Sequence, residues 1–382
     1  MINTLELSKK LIEFKSITPK SAGSLEYIQK ILKKKKFDCH LVEFGKERVK
    51  NLYASLKGGN GPVICFAGHT DVVPPGDTIE WKSNPFKASI KNGKLYGRGA
   101  SDMKTAIASF IVATFQYLET TNYVFDGTIS FLLTADEEGD AQYGTKEMIN
   151  WLKKKKISIN YCLVGEPTNP EKIGEMIKIG RRGSVNFILE ISGMQGHVAY
   201  PEKAVNPVDH LIQINKELNK PFDKGSKNFQ PTKLIITSID TSNKVSNLIP
   251  GKIIVRFNVR FSDNFKSSEI IHIIKKRVRI ITSNFKLSYK VSGESFINYS
   301  EILTDTLTQS IKKITKIDPE LSTSGGTSDA RFISKLCPVL EFGSIGKTMH
   351  KANEMIEIKN IEKLTQIYFE FLKIFFHQSA NK

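Results

Sequence analysis

An apolar run that ends in three consecutive carboxylates constrains this chain more than any other feature. Residues 128–135 read Thr-Ile-Ser-Phe-Leu-Leu-Thr-Ala, a pattern typical of a buried strand, and Asp136, Glu137 and Glu138 follow directly. Carboxylates that leave water at the end of a strand lose a large solvation free energy unless a cation lies beside them. The sequence therefore predicts a site for cations at the end of this strand.

Side chains that ligate metals also follow or flank other predicted elements. The further candidates are His69, Asp102, Glu166 and His350. Because ligands of open α/β sheets bind beyond the carboxyl ends of the strands, we expect these distant segments to converge on one edge of the sheet. Two imidazoles with several carboxylates form the ligand set of a two-metal hydrolytic site, so the sequence predicts a metalloenzyme.

The spacing of these side chains suggests different roles for them at the metal site. Neighbouring residues that leave a strand point to opposite sides, so Glu137 and Glu138 do not both face one metal in the same way. One can be a ligand and the other a base that holds a water molecule. Asp71 lies two residues after His69, points the same way and can orient the imidazole. Asp102 can bridge two cations, with one oxygen for each.

The order of predicted elements indicates two domains, as the length of 382 residues favours. Helices are predicted over 3–15, 24–36, 103–119, 144–156, 206–219, 267–282, 300–315 and 360–376, and strands over 39–44, 50–57, 62–68, 127–135, 160–165, 185–191, 233–240, 252–261, 285–292 and 338–342. The alternation over 1–179 and 294–382 indicates an α/β domain with a mostly parallel sheet. The β-α-β-β-α-β order within 180–293 indicates an inserted ferredoxin-like domain.

The composition limits the kinds of partner. The net charge of +17 favours either an anionic partner or a general enrichment in lysine, and the scattered lysines favour enrichment. A nucleic-acid-binding protein with a degenerate metal site would need a clustered basic stripe with stacking aromatic side chains. We find no signal peptide and no apolar run of about 18 residues, so we expect a soluble cytoplasmic protein that binds neither nucleic acid nor membrane.

Four sequence blocks resemble the signature blocks of the dinuclear zinc aminoacylase/carboxypeptidase family. They are residues 68–74, 97–104, 134–139 and 165–168. Their order along the chain makes the resemblance specific. It implies two zinc ions for each chain, which cobalt can replace, and Glu137 as the general base. The implied ligands are His69 and Glu166 at one ion, Glu138 and His350 at the other, and Asp102 bridging both.

The resemblance also implies a fold and an assembly. Residues 1–179 and 294–382 would form a mixed-sheet catalytic domain like that of zinc-dependent exopeptidases, and residues 180–293 would form an inserted ferredoxin-like dimerisation domain. His197 would reach the site of the partner subunit in a homodimer and stabilise the oxyanion of the reaction. Without the resemblance, His197 would be interpreted as a surface histidine on a glycine-rich turn.

Three further blocks, 180–184, 246–250 and 324–332, resemble those of family members that remove succinate from N-succinyl-LL-2,6-diaminopimelate, a precursor of lysine and cell wall. The zinc site itself does not distinguish this activity from acetylornithine deacetylase, aminoacylase, dipeptidase or carboxypeptidase activity. An acidic substrate suits bidentate arginine. The candidate substrate-binding residues are Arg181, Ser184, Asn247, Arg260, Gly326 and Thr327. Arg260 could equally belong to a solvated strand face, and Arg98 and Lys104 are expected to be structural.

Overall fold

The chain forms two compact units in the computed structural model, which describes residues 2–380. The first unit comprises the residues up to Ile179, the segment Asn298–Ser322 and the residues from Ser328 onward. The second unit comprises Gly180–Ile297 and the short segment Thr323–Thr327. The second unit therefore extends four residues beyond the expected boundary at 293, because its last strand pairs with its first.

The elements follow in chain order. The first unit begins with α1 Thr4–Glu13, α2 Ser24–Lys34, β1 Asp38–Phe44, β2 Val49–Lys57, β3 Val63–His69, β4 Ser89–Lys91, β5 Lys94–Tyr96, α3 Lys104–Thr120, β6 Thr128–Thr134, α4 Thr145–Lys154, β7 Tyr161–Val164 and β8 Met176–Lys178. The second unit contains β9 Gly180–Arg181, β10 Gly183–Ser192, β11 Gly196–His197, α5 Pro207–Leu218, β12 Lys233–Asp240, β13 Leu248–Ile249, β14 Lys252–Phe261, α6 Ser267–Arg279, β15 Phe285–Gly293 and β16 Phe296–Ile297. The first unit resumes with α7 Glu301–Thr315, β17 Glu320–Ser322, α8 Ala330–Ile333, β18 Val339–Glu341, β19 Met355–Glu357 and α9 Ile358–Ala380.

An eight-stranded mixed sheet organises the first unit, in the order β1-β2-β6-β3-β7-β18-β8-β17. The central strands β6, β3, β7 and β18 run parallel, so their carboxyl ends share one edge. Helix α3 is buried along almost its whole length because it is apolar on all sides. Phe66 of β3 stacks on Phe110 of α3 with ring centroids 4.3 Å apart, which fixes this helix on the sheet.

The second unit is built on a four-stranded antiparallel sheet in the order β12-β14-β10-β15. Alternate residues of these strands are buried with α5 and α6, and Phe187 stacks on Phe257 at 5.0 Å. The predicted α/β fold with an inserted β-α-β-β-α-β unit is thus confirmed. Within residues 2–380, no helix combines the length and apolar composition that crossing a membrane requires.

Candidate metal centre

The parallel strands bring the predicted ligands to one edge of the sheet in the first unit. His69 is the last residue of β3 and pairs with Thr134, the last residue of β6. The run from Asp136 to Glu138 therefore starts beside His69. Strand β7 ends at Val164 on the other side of β3, which brings Glu166 to the same edge.

Asp102 lies between the two histidines. Its Oδ1 is 3.2 Å from Nε2 of His69, and its Oδ2 is 3.3 Å from Nε2 of His350. Burial opposes its ionisation, but the two neighbouring imidazoles hold the pKa of Asp102 well below its usual range. Each carboxylate oxygen thus faces a different imidazole, which is the arrangement that a bridging ligand needs.

A second carboxylate accompanies each histidine. Oε1 of Glu166 is 3.7 Å from Nε2 of His69, and both oxygens of Glu138 are 3.1 Å from Nε2 of His350. Hydrogen bonds with Asp102 and Glu138 raise the pKa of His350 to about 10. The side chains therefore form two subsites that share Asp102.

The backbone at His350 is unusual for a residue with a side chain. Its φ is 62°, in the left-handed region, which costs about 1–3 kcal/mol unless the surroundings impose it. The side chain is half exposed, whereas His69 is buried. Strain of this kind is common at functional sites, and here it aims an exposed imidazole at two carboxylates.

The geometry does not decide whether Glu137 is a metal ligand or a base. Oxygens of Glu137 and Glu166 lie near enough to His69 to form one possible group of three ligands, and Asp102 and Glu138 form another with the same histidine. Burial and the charge of Glu166 raise the pKa of Glu137 well above its usual value. Asp329, a buried residue that the sequence analysis missed, adds to this shift.

The residues present fit metal ions. Nε2 of His69 and Oδ1 of Asp102 are buried, and neither makes a hydrogen bond of good geometry to any residue between 2 and 380, although they lie close together. Unsatisfied polar atoms in a protein interior are costly. Imidazole nitrogens and carboxylate oxygens are the ligands that divalent first-row metals such as zinc take. A cation among them would satisfy both atoms.

Asp71 is buried and supports the site differently from the expectation. Nδ1 of His69 bonds to the backbone oxygen of Asp71 at 2.9 Å, while the nearest carboxylate oxygen is 3.7 Å away. That carboxylate instead accepts the backbone N–H groups of Glu137 and Glu138, each at 3.1 Å. Burial raises the pKa of Asp71 to about 6. Asp71 thus fixes the turn that carries both glutamates.

The predicted substrate-binding arginines lie together in the second unit. Arg260 of β14 lies opposite Ser184 of β10 in the sheet. Burial lowers the pKa of Arg260, and the charges of Arg182 and Arg181 lower it further. Nε of Arg182 and Nη1 of Arg260 are buried without a hydrogen-bond partner among the described residues. Nη1 of Arg181 donates to the backbone oxygen of Ser324 at 3.3 Å. The unpartnered N–H groups of Arg182 and Arg260 favour an anion.

The remaining predicted residues also fall in the second unit. Gly326 and Thr327 belong to the segment Thr323–Thr327. His197 is exposed, and Val198 donates its N–H to the backbone oxygen of Asn247 at 3.2 Å, so His197 and Asn247 lie on paired segments. Nδ1 of His197 accepts the N–H of Ala199, which leaves Nε2 as the nitrogen that can donate.

Sequence reasoning missed Glu354, which the structure places at the centre of a hydrogen-bond network around Asp102. The available signal was a carboxylate four residues after His350, a predicted ligand. Arg98 and Lys104 have the structural roles expected of them. Arg98 pairs with Glu354, and Nζ of Lys104 donates to the backbone oxygen of Phe14 at 2.9 Å.

The chain is similar to known proteins along almost its whole length. Residues 65–374 match the description of peptidase family M20/M25/M40. A succinyl-diaminopimelate desuccinylase of Pelagibacter ubique is 52% identical over 98% of this chain and 99% of that protein. An M20 family metallo-carboxypeptidase of Sulfolobus solfataricus superposes with a TM-score of 0.80 at 17% identity, covering 98% and 99% of the two chains. A dinuclear metal-binding M20 peptidase of Bacillus subtilis superposes with a TM-score of 0.69 at 14% identity, covering 98% of each chain.

Divalent metal should stabilise the folded chain, and its removal should reverse this. At about 100 times the dissociation constant, each bound ion contributes about 2.7 kcal/mol, which thermal unfolding with zinc and then with excess chelator would measure. Asp102→Asn should lose most of this shift because one carboxylate serves both subsites. Asp305→Asn, an exposed change on α7, should keep it. Equal unfolding temperatures with and without metal would contradict a metal centre.

Proposed function

The chain belongs to peptidase family M20/M25/M40, and from that premise we propose that it is a two-zinc amide hydrolase that removes succinate from N-succinyl-LL-2,6-diaminopimelate. The product would be LL-2,6-diaminopimelate, for lysine and peptidoglycan synthesis. One structural observation carries the hydrolytic reaction, namely two imidazole–carboxylate subsites that share Asp102. The similarity to a desuccinylase over nearly the full length supports the choice of substrate.

We assign the ligands by the pairs that lie together. His69 and Glu166 would hold one ion, His350 and Glu138 the other, and Asp102 both. When bound, zinc ions supply a water molecule whose pKa is lowered to about 7 and a Lewis acid for the amide carbonyl; cobalt can substitute. Asp71 keeps Glu137 and Glu138 in place through their backbone N–H groups.

Glu137 is then the general base. It is the glutamate of the acidic run that does not contact His350, and a partly buried carboxylate there can take a proton from water. The same carboxyl group would return that proton to the nitrogen of the departing amine, because an amine anion is a poor leaving group. His197, through Nε2, would donate a hydrogen bond to the oxyanion.

The arginines of the second unit suit the carboxylates of the substrate. Arg181 and Arg260 would bind them, and Arg182 adds charge beside Arg260. Ser184 lies directly opposite Arg260 in the sheet. The other proposed contacts are Asn247, Gly326 and Thr327. The substrate is a small molecule with several carboxylates, so the basic cluster would serve recognition of its anionic end.

We propose that 180–293 is a dimerisation domain and that the catalytic domain is formed by 1–179 and 294–382. Strand β12 is one edge of the four-stranded sheet, and its Ile235 and Ile239 are 61% and 55% exposed. Exposed edges with apolar side chains invite strand pairing. A role in amino-acid biosynthesis fits the cytoplasmic location expected from the sequence.

The substrate assignment predicts a strong preference among acylated amino acids. With zinc present, kcat/KM for N-succinyl-LL-2,6-diaminopimelate should exceed that for N-acetylornithine by about 100-fold or more, because the buried N–H groups of Arg182 and Arg260 would otherwise stay without an acceptor. Steady-state assays with both compounds and a dipeptide would measure this. A higher kcat/KM for N-acetylornithine or the dipeptide would assign the chain to another member activity.

The roles of the adjacent glutamates predict different results for the same substitution. Glu137→Gln should bind close to two zinc ions per chain but lose several orders of magnitude in kcat, because the amide does not accept a proton. Glu138→Gln should lose one ion. Elemental analysis after dialysis, with assays of each variant, tests this. If Glu137→Gln loses an ion and Glu138→Gln does not, Glu137 is the ligand and Glu138 the base.

The dimer proposal predicts recovery of activity when two inactive variants are mixed. A mixed dimer of Glu137→Gln and His197→Ala chains would contain one site with both groups intact, so it should show about half the activity of the unsubstituted dimer if sites act independently. Mixtures of Glu137→Gln with Glu137→Ala chains are the control and should stay inactive. Without recovery in purified mixed dimers, His197 would serve its own chain or have no catalytic role.

A further inference from the structure

The carboxylate of Glu354 faces the loop that carries Asp102. Its Oε1 accepts the N–H groups of Ser101 at 2.8 Å and Asp102 at 3.0 Å. Its Oε2 accepts the N–H of Gly99 at 3.1 Å and Nη1 of Arg98 at 2.8 Å. Glu354 is completely buried, so these donors replace its water.

Arg98 extends this network to the segment that carries His350. Nη1 of Arg98 also donates to the backbone oxygen of Lys351 at 3.2 Å, and Nη2 donates to that of Pro74 at 3.4 Å. The guanidinium lies over the ring of Trp81 at 5.2 Å. Both members of the Arg98–Glu354 pair are nearly inaccessible to water, so removal of either would leave a buried charge unpaired.

The segment before His350 is fixed to the same loop. The hydroxyl of Ser101 donates to the backbone oxygen of Ile345 at 2.6 Å, and the hydroxyl of Ser344 donates to the backbone oxygen of Ser101. The loop of Asp102 and the segment of His350 are therefore joined on both sides of the histidine.

We infer that Glu354 is a positioning residue of the metal centre. It binds the loop of Asp102 and lies four residues after His350, so it sets the distance between these two ligands. The inference rests on the proposed metal centre and deepens it. Ligands held in place before the ion arrives lose less conformational entropy on binding, so the network contributes to metal affinity.

The position requires a carboxylate because four N–H donors bond to its two oxygens. A carboxylate has only acceptor sites, whereas the amide of glutamine brings an NH₂ group that would meet N–H donors. Gly99 matches this arrangement, since its φ of +87° is one that residues with a side chain rarely adopt and a Cβ there would lie 2.8 Å from Lys104. The loop backbone can thus turn several N–H groups toward one side chain.

The test is a titration of metal-free protein with cobalt(II), followed by calorimetry and by the d–d absorption of the bound ion. The unsubstituted chain should bind two ions, and Glu354→Gln should bind one of them about 10–100-fold more weakly, with an altered spectrum. Glu354→Asp keeps the charge and should lie between the two. Glu357→Gln, whose carboxylate pairs with exposed Lys359, is the matched control and should titrate like the unsubstituted chain.

Far-UV circular dichroism of each metal-free variant, below its unfolding temperature, separates positioning from stability. A folded Glu354→Gln chain with unchanged affinity for both ions would overturn the inference and leave the metal centre intact. If Glu354→Gln does not fold, the cobalt affinity of Glu354→Asp is compared with that of the unsubstituted chain instead, and an unchanged affinity for both ions would overturn the inference. If the unsubstituted chain binds no cobalt, the proposed function fails, and this inference with it.

Discussion

The first unit depends on how each buried carboxylate at the edge of its sheet is compensated. One group of carboxylates is satisfied by backbone N–H groups: Asp71 holds the turn of the acidic run, Asp136 accepts from Ala141 and Tyr143, and Glu354 holds the loop of Asp102. A second group, Asp102, Glu138 and Glu166, faces imidazoles. The first group shapes the backbone so that the second can converge, and only the second needs cations.

The second unit also buries charged side chains, but these are cationic. Arg182 and Arg260 carry buried N–H groups that no described residue accepts. Burial lowers the pKa of both groups, and the charge of Arg182 lowers the pKa of Arg260 further. Such a cluster is tolerated where an anion can enter. Side-chain chemistry therefore separates into a region suited to cations in one unit and a region suited to anions in the other.

The sequence predicted those features that depend on short stretches of chain. Long helices and strands appear near their expected positions because their hydrophobic periodicity extends over many residues. Strands of three residues, such as β8 and β17, were missed because they are too short to show a period. The strand-end rule placed His69, Glu138 and Glu166 together. It could not show that Asp71 binds backbone N–H groups, nor find Glu354, because these contacts join segments 66–67 and 252–256 residues apart.

The separation between Asp102 and Glu354 bears on how the protein is made. Strand β18 lies between β7 and β8 in the sheet, so the first unit cannot complete its core before the last quarter of the chain exists. At about 5–20 residues per second, the ribosome needs about 10–50 s to pass from Asp102 to Glu354. During that time the N–H groups of Gly99, Ser101 and Asp102 lack the carboxylate that accepts them in the folded chain, and the edge of β7 is open. The second unit, whose strands are all encoded within Gly180–Ile297, can fold in that interval.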